Sequence, residues 1–111
     1  MLFKNVFQPS EIIPYQDLGN KSGTINFTQP GVYSSFTATG NCTLNFSAAT
    51  GQISVYYVEI TNGAAYTMTL PDLKTEGNAA IVFSSNVDLL TFVFKGSSTS
   101  GVIIHNLANA S

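Results

Sequence analysis

From about residue 22 to the end of the chain, apolar residues alternate with polar ones between clusters of Gly, Pro and Asn, and nowhere do they recur at helical spacing over three turns. Period-two alternation puts successive side chains on opposite faces of an extended backbone, so such a chain hides its apolar residues by burying one face of each strand. The 111 residues suffice for one hydrophobic core and not for a second independent unit. Only 9% of them are charged, against about 25% in an ordinary soluble domain. Ser, Thr and Asn, 34 residues in all, take the place of charge, and these suit turns and strand surfaces rather than helix interiors.

Turn signals divide the chain. Ile25 and Phe27 alternate with polar neighbours until Gln29-Pro30-Gly31, where Pro and Gly sit as a type II turn requires. Val32 to Ala38, then Thr39-Gly40-Asn41, then Cys42, Leu44 and Phe46 read as a hairpin. The stretch Gln52 to Thr61 is apolar on both faces, with Ile53, Val55 and Tyr57 on one and Tyr56, Val58 and Ile60 on the other. That makes it a central strand or one whose outer face meets a partner. Asn62-Gly63 follows and predicts a second hairpin into Tyr66, Met68 and Leu70. Pro71 stops that strand, and Pro71 to Asn78 reads as a polar loop carrying Asp72, Lys74 and Glu76. Ala80 to Phe83, Asp88 to Lys95 and Val102 to His105 complete the set, with Gly96 to Gly101 as a flexible loop. About eight short strands, with turns every 8 to 12 residues or so, predict an all-β fold, an antiparallel β-sandwich of jelly-roll type. The sandwich is expected over residues 21–111, behind an extended N-terminal arm over residues 1–20.

The arm scatters Leu2, Phe3, Val6, Phe7, Ile12 and Ile13 without alternation, and Pro9 and Pro14 bar a helix and a central strand alike. Leaving that bulk in water is costly at about 25 cal/mol per Å² of apolar area, so the arm is expected to bury over its own sandwich or on a neighbouring subunit. These six residues, with Tyr56, Tyr57 and Val58 of the central strand, are the expected protein-contact residues.

A formal net charge of −2 with four basic residues offers little to neutralise a phosphate backbone, so nucleic acid is not an expected partner. No apolar run approaches the ~20 residues of a membrane span, and Gln8, Pro9 and Ser10 interrupt the N-terminus before a signal-peptide core forms, so the chain reads as soluble and untargeted. Cys42, the lone cysteine, excludes an internal disulfide and a cysteine-built metal cage, and reads as a buried thiol. His105 reads as a strand-end histidine bonded to a neighbour or to water, and no Gly-x-Ser-x-Gly elbow supports a serine triad. Asp72 and Glu76 share one loop while Glu59 and Asp88 flank or lie within strands, and the chain has no tryptophan to stack a sugar between paired acids. Asp72, Glu76 and Asp88 also miss the spacing of a calcium loop. The sequence therefore predicts no catalytic residue, metal or cofactor. Charge depletion beside apolar strands matches the cores of protein interfaces, and few Lys or Pro residues within the strands block edge pairing. Self-association or docking on another protein is the physical expectation.

Taken in order, Phe36-Thr37-Ala38-Thr39-Gly40-Asn41-Cys42-Thr43-Leu44-Asn45-Phe46, Gly51, Thr69-Leu70-Pro71, Gly77 and Val87-Asp88-Leu89-Leu90-Thr91-Phe92 resemble a β-sandwich module found on tail fibres and related surface proteins of tailed bacteriophages. The resemblance spans roughly residues 32–104. The chain lacks the tryptophans such modules often carry after the Leu-Pro element and near the end of the last strand, so the resemblance bears on architecture rather than ligand. It implies a virion protein, assembled in the host cytoplasm. With a short arm in place of a long fibre, the expectation is a separately encoded head decoration or cement protein. Such proteins sit as trimers on a phage capsid and clamp neighbouring subunits of the major capsid protein, here with the arm as part of the clamp. The alternative is a tail or tail-fibre component whose loops, Pro71 to Asn78 and Gly96 to Gly101, recognise a host surface molecule. A small carbohydrate-binding sandwich is a third reading.

Overall fold

The computed structural model describes residues 12–75 and 80–107. The fold is all-β, as the alternation predicts. Its strands are β1 (Tyr15–Phe27), β2 (Tyr33–Phe46), β3 (Ile53–Thr61), β4 (Met68–Thr69), β5 (Lys74–Thr75), β6 (Val87–Lys95) and β7 (Gly101–Leu107), with a short 3-10 turn at Gly63–Ala65. They form one mixed sheet in the order β1-β2-β3-β6-β7-β5, and β4 pairs with β2 off that path.

The antiparallel expectation is corrected at the first strands. β1 pairs with β2, and β2 with both β3 and β4, in parallel; among the described residues only β3–β6 and β6–β7 are antiparallel. Parallel neighbours ordinarily need a crossover of a dozen or more residues, yet residues 28–32 alone separate β1 from β2 and residues 47–52 separate β2 from β3. Bending of the strands themselves supplies the return path. Run straight, β2 would extend about 43 Å at 3.3 Å per residue, beyond the molecule's longest dimension of 35 Å. Instead its end comes back over its beginning: the Phe46 ring lies 5.0 Å from that of Tyr56, whose neighbour Tyr57 pairs with Tyr33 at the start of β2.

β1 and β2 are therefore each a V, with the first half in one layer and the second half in a facing layer. β3, the 3-10 turn and β4 make a third V along the same path, with β3 beside residues 33–37 and β4 beside Cys42 and Thr43. Three rungs stack in this way, and β6 and β7 extend the first layer beside β3. This arrangement is a coil of rungs rather than a jelly roll.

Both expected hairpins are replaced by corners, for the same reason. A two-residue I′ hairpin needs positive φ at both central positions. Neither Gly40 nor Asn41 has one, so Thr39-Gly40-Asn41 stays inside β2 and turns it from one layer to the other. Asn62 is left-handed at φ 66 but Gly63 is not, so the chain enters the 3-10 turn instead of returning along β3. Polar groups tie the corners together: Asn62 Nδ2 donates to the Ala38 carbonyl at 3.3 Å, and the Thr67 amide to Asn41 Oδ1 at 2.9 Å. β1 turns where Gly19 (φ 72) and Gly23 (φ 79) permit it, and its register on β2 shifts there. Tyr15 to Asn20, expected in the arm, belong to β1, with Tyr15, Gln16, Asp17 and Asn20 in register with β2. Residues 1–11 lie outside the described residues.

The layers enclose one core built from alternate positions, including Ile25 and Phe27 of β1, Phe36 and Leu44 of β2, Val58 and Ile60 of β3, Leu90, Phe92 and Phe94 of β6, and Ile103 of β7. Each such side chain contributes about 1.5–3 kcal/mol by leaving water. Phe46 joins the layers: it stacks on Phe27 at 4.8 Å and meets Phe92 at 4.4 Å. Phe92→Ala is expected to lower stability by about 3–5 kcal/mol in urea unfolding. Gly101 sits at φ 148, and a Cβ there would stand 1.9 Å from the Val93 carbonyl oxygen. Gly101→Ala should therefore cost more than about 1 kcal/mol, and a wild-type urea midpoint would contradict the close pairing of β6 and β7.

Candidate functional site

The outer faces of the two layers are where this fold meets its surroundings. On the first layer the parallel register aligns Tyr15, Tyr33 and Tyr57 into one column across β1, β2 and β3. Alternation turns these rings away from the core side chains Phe36, Val58 and Ile60. The next outward column is Asp17, Ser35 and Glu59. Hydrogen bonds cross-link the two columns: the Tyr33 hydroxyl donates to Glu59 Oε1 at 2.5 Å, and Tyr15 Oη lies 2.8 Å from Ser35 Oγ. The Tyr15 and Tyr33 rings are 5.8 Å apart and tilted by 38°.

The second layer presents Thr24, Thr43 and Thr69 in one column and Asn26 beside Asn45 in the next. Asn45 Nδ2 donates to Asn26 Oδ1 at 3.4 Å. This Asn pair is satisfied sideways, and the face of short uncharged side chains around it loses little rotamer freedom when covered.

A third feature joins the two loops singled out in the sequence. Asp72, Leu73, Lys74 and Thr75 line a cleft of about 540 Å³ with Thr99, Ser100 and Gly101. The parallel pairing of Lys74 with Val102 and Thr75 with Ile103 brings them together.

Burial pushes the Tyr33 phenol well above its ordinary range, and the hydrogen bond to Glu59 and that carboxylate's charge push it further. Tyr56, whose hydroxyl donates to the Ser47 carbonyl at 2.5 Å, is raised chiefly by burial. Cys42 is buried, as the alternation predicts, and burial raises its thiol as well. Such a thiol is a poor nucleophile.

His105 has the bonded neighbour expected of it. Its Nε2 lies 2.8 Å from Asp88 Oδ1, and Asp88 is fully buried. The other carboxylate oxygen accepts the Ser84 amide at 2.8 Å and the Ser84 hydroxyl at 3.2 Å. The acid stands between the serine and the imidazole, whereas nucleophilic catalysis requires the imidazole in the middle. The trio acts as a clamp, tying β6 to β7 and to the segment that packs Phe83 against the Gly63 corner.

The expected contact residues are dispersed. Tyr57 is half-buried on the outer face, while Tyr56 and Val58 are core residues at 2% and 0% exposure. This corrects the sequence expectation for those two: β3 is apolar on both faces because it is central, and its inward face is already covered. Ile12 is 95% exposed and Ile13 half-buried. Leu2, Phe3, Val6 and Phe7 lie outside the described residues. Placing Tyr15 in the arm hides the tyrosine column from a reading of the sequence. A signal for it exists: Tyr15 and Tyr33 precede the matching segments Thr24-Ile25-Asn26-Phe27 and Thr43-Leu44-Asn45-Phe46 by similar distances.

Among the described residues no group of three or more His, Cys, Asp or Glu is placed to hold a metal ion, and no helix is long and apolar enough to cross a membrane. Comparison with known proteins finds no matching family model, no matching curated protein and no matching solved structure.

Two outcomes follow from the side-chain geometry. His105→Ala leaves the buried Asp88 carboxylate without its imidazole partner and is expected to lower stability by about 3 kcal/mol; an unchanged thermal midpoint would contradict the clamp. Because the Tyr33 value is raised in the folded state, the stability it confers is fully present below the ordinary phenol value of about 10 and is lost as pH rises beyond it. In ultraviolet titration Tyr33 and Tyr56 should stay protonated past the ordinary phenol range, and Tyr33→Phe should remove one of these two late phenols.

Proposed function

We propose that this protein is a bacteriophage head decoration, or cement, protein that stabilises the assembled shell by bridging subunits of the major capsid protein. The observation that carries the reading is the makeup of the outer faces: a tyrosine column on one layer and Thr and Asn columns on the other, in register and themselves uncharged, with Asp17 and Glu59 in the column beside the tyrosines. Charged surface is costly to desolvate, and interface cores are depleted of it. The resemblance of residues 32–104 to phage surface modules supports the same reading. A chain that binds the assembled lattice and not free subunits adds its binding free energy to the lattice at every site, so many modest contacts stabilise the head. No turnover is involved. The protein would act within the virion, with the major capsid protein and further copies of itself as partners.

A tail or tail-fibre role is the second reading. It is favoured by the cleft that unites the 72–75 and 99–101 segments, which would serve as a receptor site.

The stoichiometry of purified particles tests the choice. A decoration protein is expected in a fixed proportion comparable to the major capsid protein, whereas a few copies per particle would contradict it and favour the tail. Deleting residues 1–11, which leaves β1 whole, is expected to weaken head binding by more than about tenfold while the thermal midpoint stays near that of the full chain. Unchanged head binding would remove the arm from the clamp.

A further inference from the structure

We propose that the outer face of β1–β3 takes an extended polypeptide segment bearing arginine or lysine, which adds along the start of β1 and lays its cationic side chains over Tyr15 and between Asp17 and Glu59. Among the described residues β1 pairs only with β2, so its outer edge has no described strand partner. Tyr15, Gln16 and Asp17 are exposed along that edge. An open edge of this kind accepts an added strand through main-chain hydrogen bonds, and side chains at alternate positions then select the partner. The bend at Gly19 confines regular addition to the part of β1 before it.

The side chains beside that edge fit a cation. Tyr15 is 63% exposed, while its hydroxyl is held at Ser35 Oγ and its ring lies 5.8 Å from that of Tyr33. A ring fixed in this way offers its π face at little further entropic cost. Asp17 and Glu59 lie in one register column with Ser35 between them, about 10 Å apart at the spacing of neighbouring strands. Asp17 Oδ1 receives the Gly19 amide and Glu59 Oε1 receives the Tyr33 hydroxyl. Each carboxylate keeps further lone pairs for a guanidinium or ammonium group. The described lysines lie elsewhere: Lys21 pairs with Ala38 past the bend, Lys74 is on β5, and Lys95 pairs with Ile53 at the far end of β3. Two negative charges beside an exposed aromatic ring, with Lys95 on the same face but at the opposite end of β3, are complementary to a basic strand.

This deepens the docking reading above and rests on it only for the partner's identity. The test uses no phage particle, so the two succeed or fail separately. The full chain is titrated with a peptide of about eight residues alternating arginine and threonine, and with its glutamate counterpart. Binding is followed by tyrosine fluorescence, which no tryptophan obscures, and by amide chemical shifts. The basic peptide is expected to bind at submillimolar concentration, with shifts concentrated in residues 15–18 and their β2 neighbours. Affinity should fall as salt rises from about 0.05 M to about 0.5 M. Tyr15→Ala and Asp17→Asn should each weaken binding by about fivefold, with circular dichroism confirming the fold. The proposal is overturned by no binding at millimolar peptide, by equal binding of the acidic peptide, by shifts centred on other strands, or by wild-type affinity in both variants.

Discussion

The structure depends on the bending of its long strands. A parallel pair cannot close through the five- and six-residue connections found here unless the strands themselves turn back, and β1 and β2 do so at Gly19, Gly23 and the Thr39–Asn41 corner. Each bend is cheap where glycine adopts positive φ, and at Asn62, whose short polar side chain also tolerates the left-handed region. Once the first strand is a V, each following rung can lie on it in register, and the second half of every rung covers the apolar face of the first. One mixed sheet thereby encloses its own core, with Phe46 packed against rings from β1, β3 and β6.

Parallel stacking also decides what the surface offers. In an antiparallel hairpin, residues of similar sequence position would face unrelated partners; in stacked rungs, corresponding residues fall into columns. Tyr15, Tyr33 and Tyr57 become a ridge, Thr24, Thr43 and Thr69 a second column, and Asn26 beside Asn45 a third. Lateral hydrogen bonds hold Tyr15, Tyr33 and the Asn26–Asn45 pair still before any partner arrives. A face so ordered loses less entropy on docking than one of long charged chains. The proposed function draws on this property of the tyrosine, Thr and Asn columns.

Much of the fold class was legible. The alternation identified most of the strands and the two faces of β3, though not which face is inward; Ala80–Phe83, expected as a strand, is not one, and Lys74–Thr75, expected in a loop, is β5, while Cys42 and His105 lie in the surroundings expected of them. Topology was not legible from turn residues, because Thr39-Gly40-Asn41 and Asn62-Gly63 have hairpin composition without hairpin dihedrals, and composition alone does not say which φ a glycine adopts. The better guide was the recurrence of Thr-Ile/Leu-Asn-Phe at residues 24 and 43, since a repeat of about 20 residues is what a coiled stack of strands requires. The Asp88–His105 clamp was out of reach, since it links residues 17 apart through a pairing that only the fold defines. Of the expected contact residues, Tyr57 faces outward because it is the odd member of an alternating strand whose even members fill the core.

The parallel stack is tested most directly by the proton contacts of the corners in solution. Backbone nuclear Overhauser contacts are expected from the Thr24 segment to the Thr43 segment and from there to the Thr69 segment, with none running antiparallel between residues 33–38 and 42–46. A ladder of contacts folding 42–46 back onto 33–38 would contradict the bent rungs, and with them the columns on which both docking faces are built.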